Sequence, residues 1–422
     1  MQKQRYLLLL LLFMFLLVNP VFSQVTVIKA GYIVDPATGK ITASQDIIVE
    51  KGKIEALRAR MSAQNSEKVI DLSDFYVLPG LIDAHSHLCS DVLLDESWQG
   101  QVTERFTSYV TQTSTAYRAL VGAAKARSML ESGFTTVRDL GNAGNFADTD
   151  LRLAIESGLI PGPTIINSGI IIAPFGGQFH LHAERPELGT PEYFHADSRD
   201  EIQKAIRKNI HFGAKVIKIV VDSQPYQYSI EDIRFMVEEA GRAGLKVAAH
   251  AHSEEGARSA IEARVASIEH GTHMSDELLQ LAKERNVALV GTEMPKWVLS
   301  LFGSESRYPL VIDRLKRAHK IGVNIIYGSD ALFEVGDRTR GEMTLSNLES
   351  WMDAEIPPSV ALHAMTGGAA ELLGIENERG FLKKGQMADI IAVKKNPLED
   401  IWALKEVVFV MKNGEVLINN LQ

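Results

Sequence analysis

The sequence predicts a (β/α)8 barrel of the TIM type, accompanied by a small β-sandwich that the two ends of the chain build together. Short apolar strand candidates alternate with segments of helical periodicity through the middle of the 422-residue chain. Short alternating strands bounded by glycine turns occur before that region and again after it. Neither flanking segment is large enough to fold alone, so one shared unit is the arrangement that buries both. Composition narrows the function classes. With 44 Lys and Arg against 53 Asp and Glu the formal charge is −9, which disfavours a nucleic-acid partner. The single Cys excludes an internal disulfide scaffold.

Lys3 and Arg5 precede an uninterrupted apolar run from Tyr6 to Val18, Asn19-Pro20 breaks it, and Ser23 offers a small residue before Gln24. This is the layout of a secretory signal peptide over residues 1–23. The run is short for a bilayer span, although an uncleaved anchor is the rival reading. The expectation is an exported protein, periplasmic or secreted, with no stable membrane association once the leader is removed.

Residues 24–78 read as alternating strands, among them Val25–Ala30, Asp46–Glu50 and Lys53–Leu57, with Gly31 and Lys51-Gly52 as turns. The same texture returns in 377–422, where Ala388–Val393 and Val407–Met411 are strands and Lys412-Asn413-Gly414 turns the chain into Glu415–Ile418. Between them, residues 79–376 hold eight strand candidates. In order these are Val77–Ile82, Thr135–Leu140, Thr164–Ile172, Val216–Val221, Lys246–His250, Ala266–His270, Val287–Thr292 and Asn324–Asp330. Helical spacing separates several of them, as at Ile233, Met236, Val237 and Ala240, a face that opens after Ser229 and exits near Gly244. Ser198-Arg199-Asp200-Glu201 opens the preceding helix with a capping-box pattern.

Barrel enzymes carry their chemistry at the C-terminal ends of the strands, so what ends each apolar run matters most. The first run ends in Asp83-Ala84-His85-Ser86-His87, and residues two apart in extended chain point the same way, so both imidazoles can reach one metal ion. The fifth ends at His250, the sixth at His270 and the eighth at Asp330. Lys218 lies inside the apolar fourth run, where a charged amine is costly to bury. Any one of these positions has an ordinary structural explanation; their agreement with barrel geometry points to a metal centre of His85, His87, Lys218, His250, His270 and Asp330. The ligand types suit zinc or a similar transition metal. His180 and His182 repeat the HxH spacing in a glycine-rich loop after the third strand and are candidates to face the substrate. His252 sits beyond His250 and can back a ligand, face the substrate or do neither.

These residues resemble the amidohydrolase superfamily. The match runs through Leu78-Pro79-Gly80-Leu81-Ile82-Asp83-Ala84-His85-Ser86-His87, Ile268-Glu269-His270-Gly271, Gly328-Ser329-Asp330-Ala331, Gly385-Gln386-Met387-Ala388-Asp389-Ile390 and Asn396-Pro397-Leu398-Glu399-Asp400. Val216-Ile217-Lys218, Gln227-Tyr228-Ser229 and Val247-Ala248-Ala249-His250-Ala251-His252 narrow the resemblance to the imidazolonepropionase-related branch that holds Xaa-Pro and Xaa-Arg dipeptidases. The resemblance implies two divalent metal ions, of the zinc type, bridged by an N6-carboxylated Lys218. His85, His87 and Asp330 would hold one ion, and His250 and His270 the other. A metal-bridging hydroxide would attack the amide carbonyl, Asp330 would serve as general base, and Tyr228 would hydrogen-bond the carbonyl oxygen. One departure stands out: the branch often shows Gly-Gly-His after the third strand, whereas this chain reads Gly176-Gly177-Gln178-Phe179-His180.

The expected function is therefore hydrolysis of a small-molecule amide, a dipeptide of Xaa-Pro or Xaa-Arg type or an N-acyl amino acid. Alternatives are a cyclic amide, as in imidazolonepropionase, or a non-catalytic metal- or ligand-binding protein. Homo-oligomerisation is left open.

Overall fold

A computed structural model of the chain describes residues 25–61, 68–94 and 102–421; the expected leader at 1–23 lies outside them. The chain opens with β1 (Thr26–Asp35), β2 (Lys40–Glu50), β3 (Lys53–Ala59) and β4 (Lys68–Pro79). The central region carries β5 (Leu81–Ser86), β6 (Val92–Leu94), β7 (Phe134–Asp139), β8 (Thr164–Asn167), β9 (Ile171–Ala173) and β10 (Tyr193–His195). It continues through β11 (Ile217–Val220), β12 (Val247–Ala251), β13 (Ser267–His270), β14 (Ala288–Val290) and β15 (Phe333–Val335). The C-terminal strands are β16 (Ile390–Val393), β17 (Val407–Lys412) and β18 (Glu415–Asn419). Among the described residues no helix is long and apolar enough to cross a membrane.

The two ends of the chain do meet, but in one seven-stranded sheet of order β18-β17-β16-β4-β1-β2-β3 and not in the expected two-layered sandwich. The reason is β4, which pairs in parallel with β1 and antiparallel with β16, so the backbone hydrogen bonding runs from the N-terminal strands into the C-terminal ones without a break. The sheet curls. Its outermost hairpins approach each other, and a Cβ on Gly414 would lie 2.6 Å from Gly52 Cα. Both glycines also have positive φ, so their turns require glycine for conformation as well as for space. Ile28, Ile47 and Leu72 from one end and Ile390, Phe409 and Met411 from the other share one buried cluster.

The central strands are parallel wherever they pair. They form a three-stranded sheet β5-β7-β8, a six-stranded sheet β10-β9-β11-β12-β13-β14 and a two-stranded sheet β15-β6. A few backbone bonds make the junctions, among them Lys215 N to Asn167 O (2.7 Å), Leu289 N to Asn324 O (2.9 Å) and Ala84 N to Tyr327 O (3.0 Å). The eighth expected strand, Asn324–Asp330, is accordingly an extended segment with one isolated bridge, Ile325 to Leu289, and no ladder. The third splits into β8 and β9 around Gly169, whose φ is +67°. The first spans two elements, because the chain passes from β4 to β5 at Gly80, where a Cβ would meet Thr135 Oγ1 at 2.2 Å.

Helices cover these strands as their periodicity requires. Ser198 and Glu201 form the expected capping box on Arg199–His211, and Ser229 caps Ile230–Gly241. Ile233, Met236 and Ala240 are buried in the main core, while Val237 is only partly so. Each large aliphatic side chain so buried contributes about 1.5–3 kcal/mol. Arg242 C-caps this helix, slightly before the expected exit at Gly244.

Candidate active site

The end of β5 fixes the geometry around it. Asp83 accepts from Ser329 N (2.9 Å), Ser329 Oγ (2.7 Å) and His85 N (3.1 Å). Burial raises this carboxyl to about 6. The clamp draws the Gly328–Asp330 segment against β5, and Asp330 Oδ1 comes 3.0 Å from His87 Nε2 and 3.5 Å from His85 Nε2. The opposite ring nitrogens are occupied: His85 Nδ1 meets Glu269 Oε2 at 2.7 Å, and His87 Nδ1 donates to Gly141 O at 2.8 Å. These bonds place the proton on Nδ1 and turn an Nε2 lone pair inward, as a metal ligand requires. Burial, and then the charge of Lys218, hold His85 near 4, so it is neutral at physiological pH.

The second half of the site comes from β12 and β13. His250 Nε2 lies 3.1 Å from Ser223 Oγ, which leaves Nδ1 toward the cavity and Gln178. His270 Nδ1 lies 2.8 Å from Thr292 Oγ1, which leaves Nε2. The ring centroids of His270 are 4.6 Å from His250 and 5.2 Å from His85. Ligating atoms of His85, His87 and Asp330 lie within 4.8 Å of one another, as do those of His250, His252 and His270. Lys218, the second residue of β11, is buried beside them, and burial lowers its amine to about 8. Among the described residues it forms no hydrogen bond or ion pair. All seven side chains line one cavity of about 450 Å3. A donor set of imidazoles, a carboxylate and an unpartnered buried amine fits divalent metal ions of the zinc type.

His270, Thr292 and Asp330 all have left-handed backbone, with φ of 68°, 51° and 54°. Such conformations cost about 1–3 kcal/mol each and persist where surrounding structure over-determines them. Buried arginines supply that structure. Arg314 donates to the His270 carbonyl and pairs with Glu293, which also accepts from Trp351 Nε1 at 3.2 Å. Arg340 donates to the carbonyls of His87 (2.8 Å), Ala331 (2.9 Å) and Ser90 (2.8 Å). Arg138 donates to Ser267 Oγ (3.0 Å), to the Ala84 carbonyl and to Glu269 Oε1 (2.9 Å). Burial by itself would raise Glu269, but the charge of Arg138 and the bond from His85 hold it down at about 2. Glu269→Gln should therefore free the His85 tautomer and weaken metal binding by about 10–100-fold. Chelator competition on the folded variant measures this. An unchanged affinity would mean that Glu269 serves Arg138 alone.

Six of the residues expected at strand ends thus converge, and His252 joins them, its Nδ1 2.7 Å from Thr272 Oγ1. Three other candidates stand away from this cavity. Tyr228 does not reach the cavity: lying just before the Ser229 cap, it is packed at the helix entry and its hydroxyl donates to Ala196 O at 2.8 Å. His180 and His182 are exposed and line no part of the cavity. The turn at Gly176-Gly177 sends Gln178 and Phe179 inward instead, Phe179 edge-on to Tyr193 at 5.4 Å, and the chain then leaves the wall. Tyr193, which donates to Gln178 Oε1 at 2.9 Å, and Asn142 complete that wall and were not expected. Asn142 was within reach of the strand-end criterion, because it follows the second apolar run. Nothing local marks Tyr193.

Parallel strands under helices, with imidazoles, a carboxylate and a lysine gathered beside their ends, present a candidate metal centre. A sequence profile of the amidohydrolase family matches residues 76–417, and the chain belongs to that family. It is 29% identical over 447 aligned residues to ochratoxinase of Aspergillus niger, covering 93% of this chain and 87% of that one. It is 26% identical to imidazolonepropionase of Pyrobaculum arsenaticum, covering 82% and 83%. A solved Xaa-Pro dipeptidase with methionine bound in its active site superposes with a TM-score of 0.81 at 29% identity, over 94% of this chain and all of that one. These relatives place the chain in the prolidase-like branch of the superfamily, as a hydrolase of carbon–nitrogen bonds acting on a small molecule. The fold they imply is a TIM barrel with an extra domain.

Proposed function

We propose that this chain is an exported binuclear metallohydrolase that cleaves the amide of a dipeptide or an N-acyl amino acid. The observation that carries the reading is Lys218: a buried amine without a partner, beside inward-turned imidazoles and Asp330. An amine held near 8 is neutral often enough to add to carbon dioxide, and once the adduct has lost its proton the carbamate would be an anionic ligand for metal. His85, His87 and Asp330 would then serve one ion, and His250 and His270 the other. Two such ions supply an acidified water as nucleophile and polarise the scissile carbonyl.

The protein's own groups do the rest. Asp330 takes the proton from the attacking water and passes it to the leaving amine. The Phe106, Phe179 and Phe302 side of the cavity excludes bulk water from the reacting amide. Gln178, in the place where the branch often has histidine and held by the Tyr193 hydroxyl, offers its amide hydrogens near His250 for the substrate carbonyl. Export rests on the basic, apolar and small-residue succession over residues 1–23.

The test is a panel of Xaa-Pro and Xaa-Arg dipeptides and N-acyl amino acids against zinc-loaded protein, with metal content measured in parallel. We expect amine release from at least one class and about two divalent ions per chain. Full activity in metal-free protein would defeat the reading. Turnover confined to cyclic amides would transfer it to the imidazolonepropionase type.

A further inference from the structure

The mouth of the cavity holds a charge that the hydrolytic machinery does not use. Arg307 ends the short turn Glu305–Arg307, just before the helix Tyr308–Ile321, and its side chain lines the cavity. Among the described residues it forms no ion pair and no side-chain hydrogen bond. Asp330 is the one acid among the described residues that line this cavity, and it lies with the ligating imidazoles. Of the carboxylates behind the cavity wall, Glu269 is engaged by Arg138 and His85, and Asp222 already accepts from His252 N, Ser253 N and Ser253 Oγ. Phe106, Phe179, Phe302 and Phe333 give part of the cavity lining an aromatic, apolar surface.

We propose that Arg307 is a specificity residue that clamps a free carboxylate on the leaving amino acid, whose apolar or aromatic side chain lies against the phenylalanine wall. A guanidinium matches a carboxylate with two parallel hydrogen bonds, which fix the orientation of the bound group. The same wall disfavours a cationic side chain, which would meet no available acid. Of the dipeptide classes considered, those ending in proline or another apolar residue are therefore substrates, with the matching N-acyl amino acids, and those ending in arginine are not. This inference rests on the amide-hydrolase reading above.

The experiment compares N-acetyl-L-phenylalanine, its carboxamide and N-acetyl-L-arginine, as substrates and as ligands by titration calorimetry, on zinc-loaded wild type, Arg307→Met and Arg307→Lys. Wild type should favour the free acid over the carboxamide by about 10–100-fold, the worth of a hydrogen-bonded charge, with the difference in KM and in Kd. Arg307→Met should lose that preference, Arg307→Lys should keep part of it, and N-acetyl-L-arginine should be the poorer acid. Equal handling of acid and carboxamide by wild type, an unaltered preference in Arg307→Met, or better use of N-acetyl-L-arginine would each overturn the inference. Binding that depends on Arg307 without any hydrolysis would instead defeat the proposed reaction and leave the carboxylate clamp standing.

Discussion

Asp330→Asn should keep the fold and the metal and lose on the order of 10³-fold in kcat, the range attributed to a positioned general base. That corresponds to about 4 kcal/mol of barrier. The substitution preserves shape where shape is demanding. Asp330 has φ +54°, its N–H donates to His85 O at 2.8 Å, and the preceding Ser329 is held by Asp83 and by Asn347 Nδ2, which donates to Ser329 O at 2.9 Å. None of these bonds uses the side chain that changes. What changes is its capacity to take up a proton. Burial pushes the Asp330 carboxyl upward, but the imidazoles of His85 and His87 and the Lys218 amine around it more than offset this, so it stands ionised at neutral pH. An amide can still present an oxygen to a metal ion and cannot serve as base. Steady-state kinetics with metal analysis checks both halves, and turnover within tenfold of wild type would assign the proton transfer elsewhere.

Lys218→Ala should lose metal and about 10²–10³-fold in kcat/KM together, as when a group that stabilises transition-state charge is removed. The fold should survive, because the amine has no partner to leave unsatisfied, and the loss of a buried cation offsets part of the cavity cost. Acetate or propionate should restore part of the activity by occupying the vacated space with a carboxylate. Lys218→Met, which fills that space without a ligand, should show no such rescue. Metal content in Lys218→Ala equal to wild type would show that the lysine is not a ligand.

The site residues legible in the sequence are those whose role is set over a few positions. The alternation of an extended chain puts His85 and His87 on one side, and an apolar run that stops at His250 or His270 marks a strand end. Tyr228 marks the limit of such local reading. Its position beside a helix cap is readable, but the direction of its ring depends on Ala196, which lies 32 residues away. The arginine frame was illegible because each of its bonds joins distant segments: Arg340 and His87 are 253 residues apart, and Arg138 and Glu269 are 131 apart. An arginine in a sequence reads as surface charge until the carbonyls that it satisfies are known. Likewise, β4 was recognisable as a strand, yet its pairing with both β1 and β16 makes one curled sheet where two layers were expected.

The sequence by itself determined the succession of strands and helices, the pairing of the two chain ends, and which imidazoles, carboxylate and lysine stand at the strand ends. Periodicity and run termination are short-range properties, and they survive without a fold. Only the tertiary structure decided that Gln178, Phe179 and Tyr193 form the wall in place of His180, His182 and Tyr228. It alone set buried arginines behind the ligands and placed Arg307 at the mouth. Those outcomes depend on which loop covers which strand end and on which buried carbonyl needs a donor, and both are settled by packing between segments far apart in the chain.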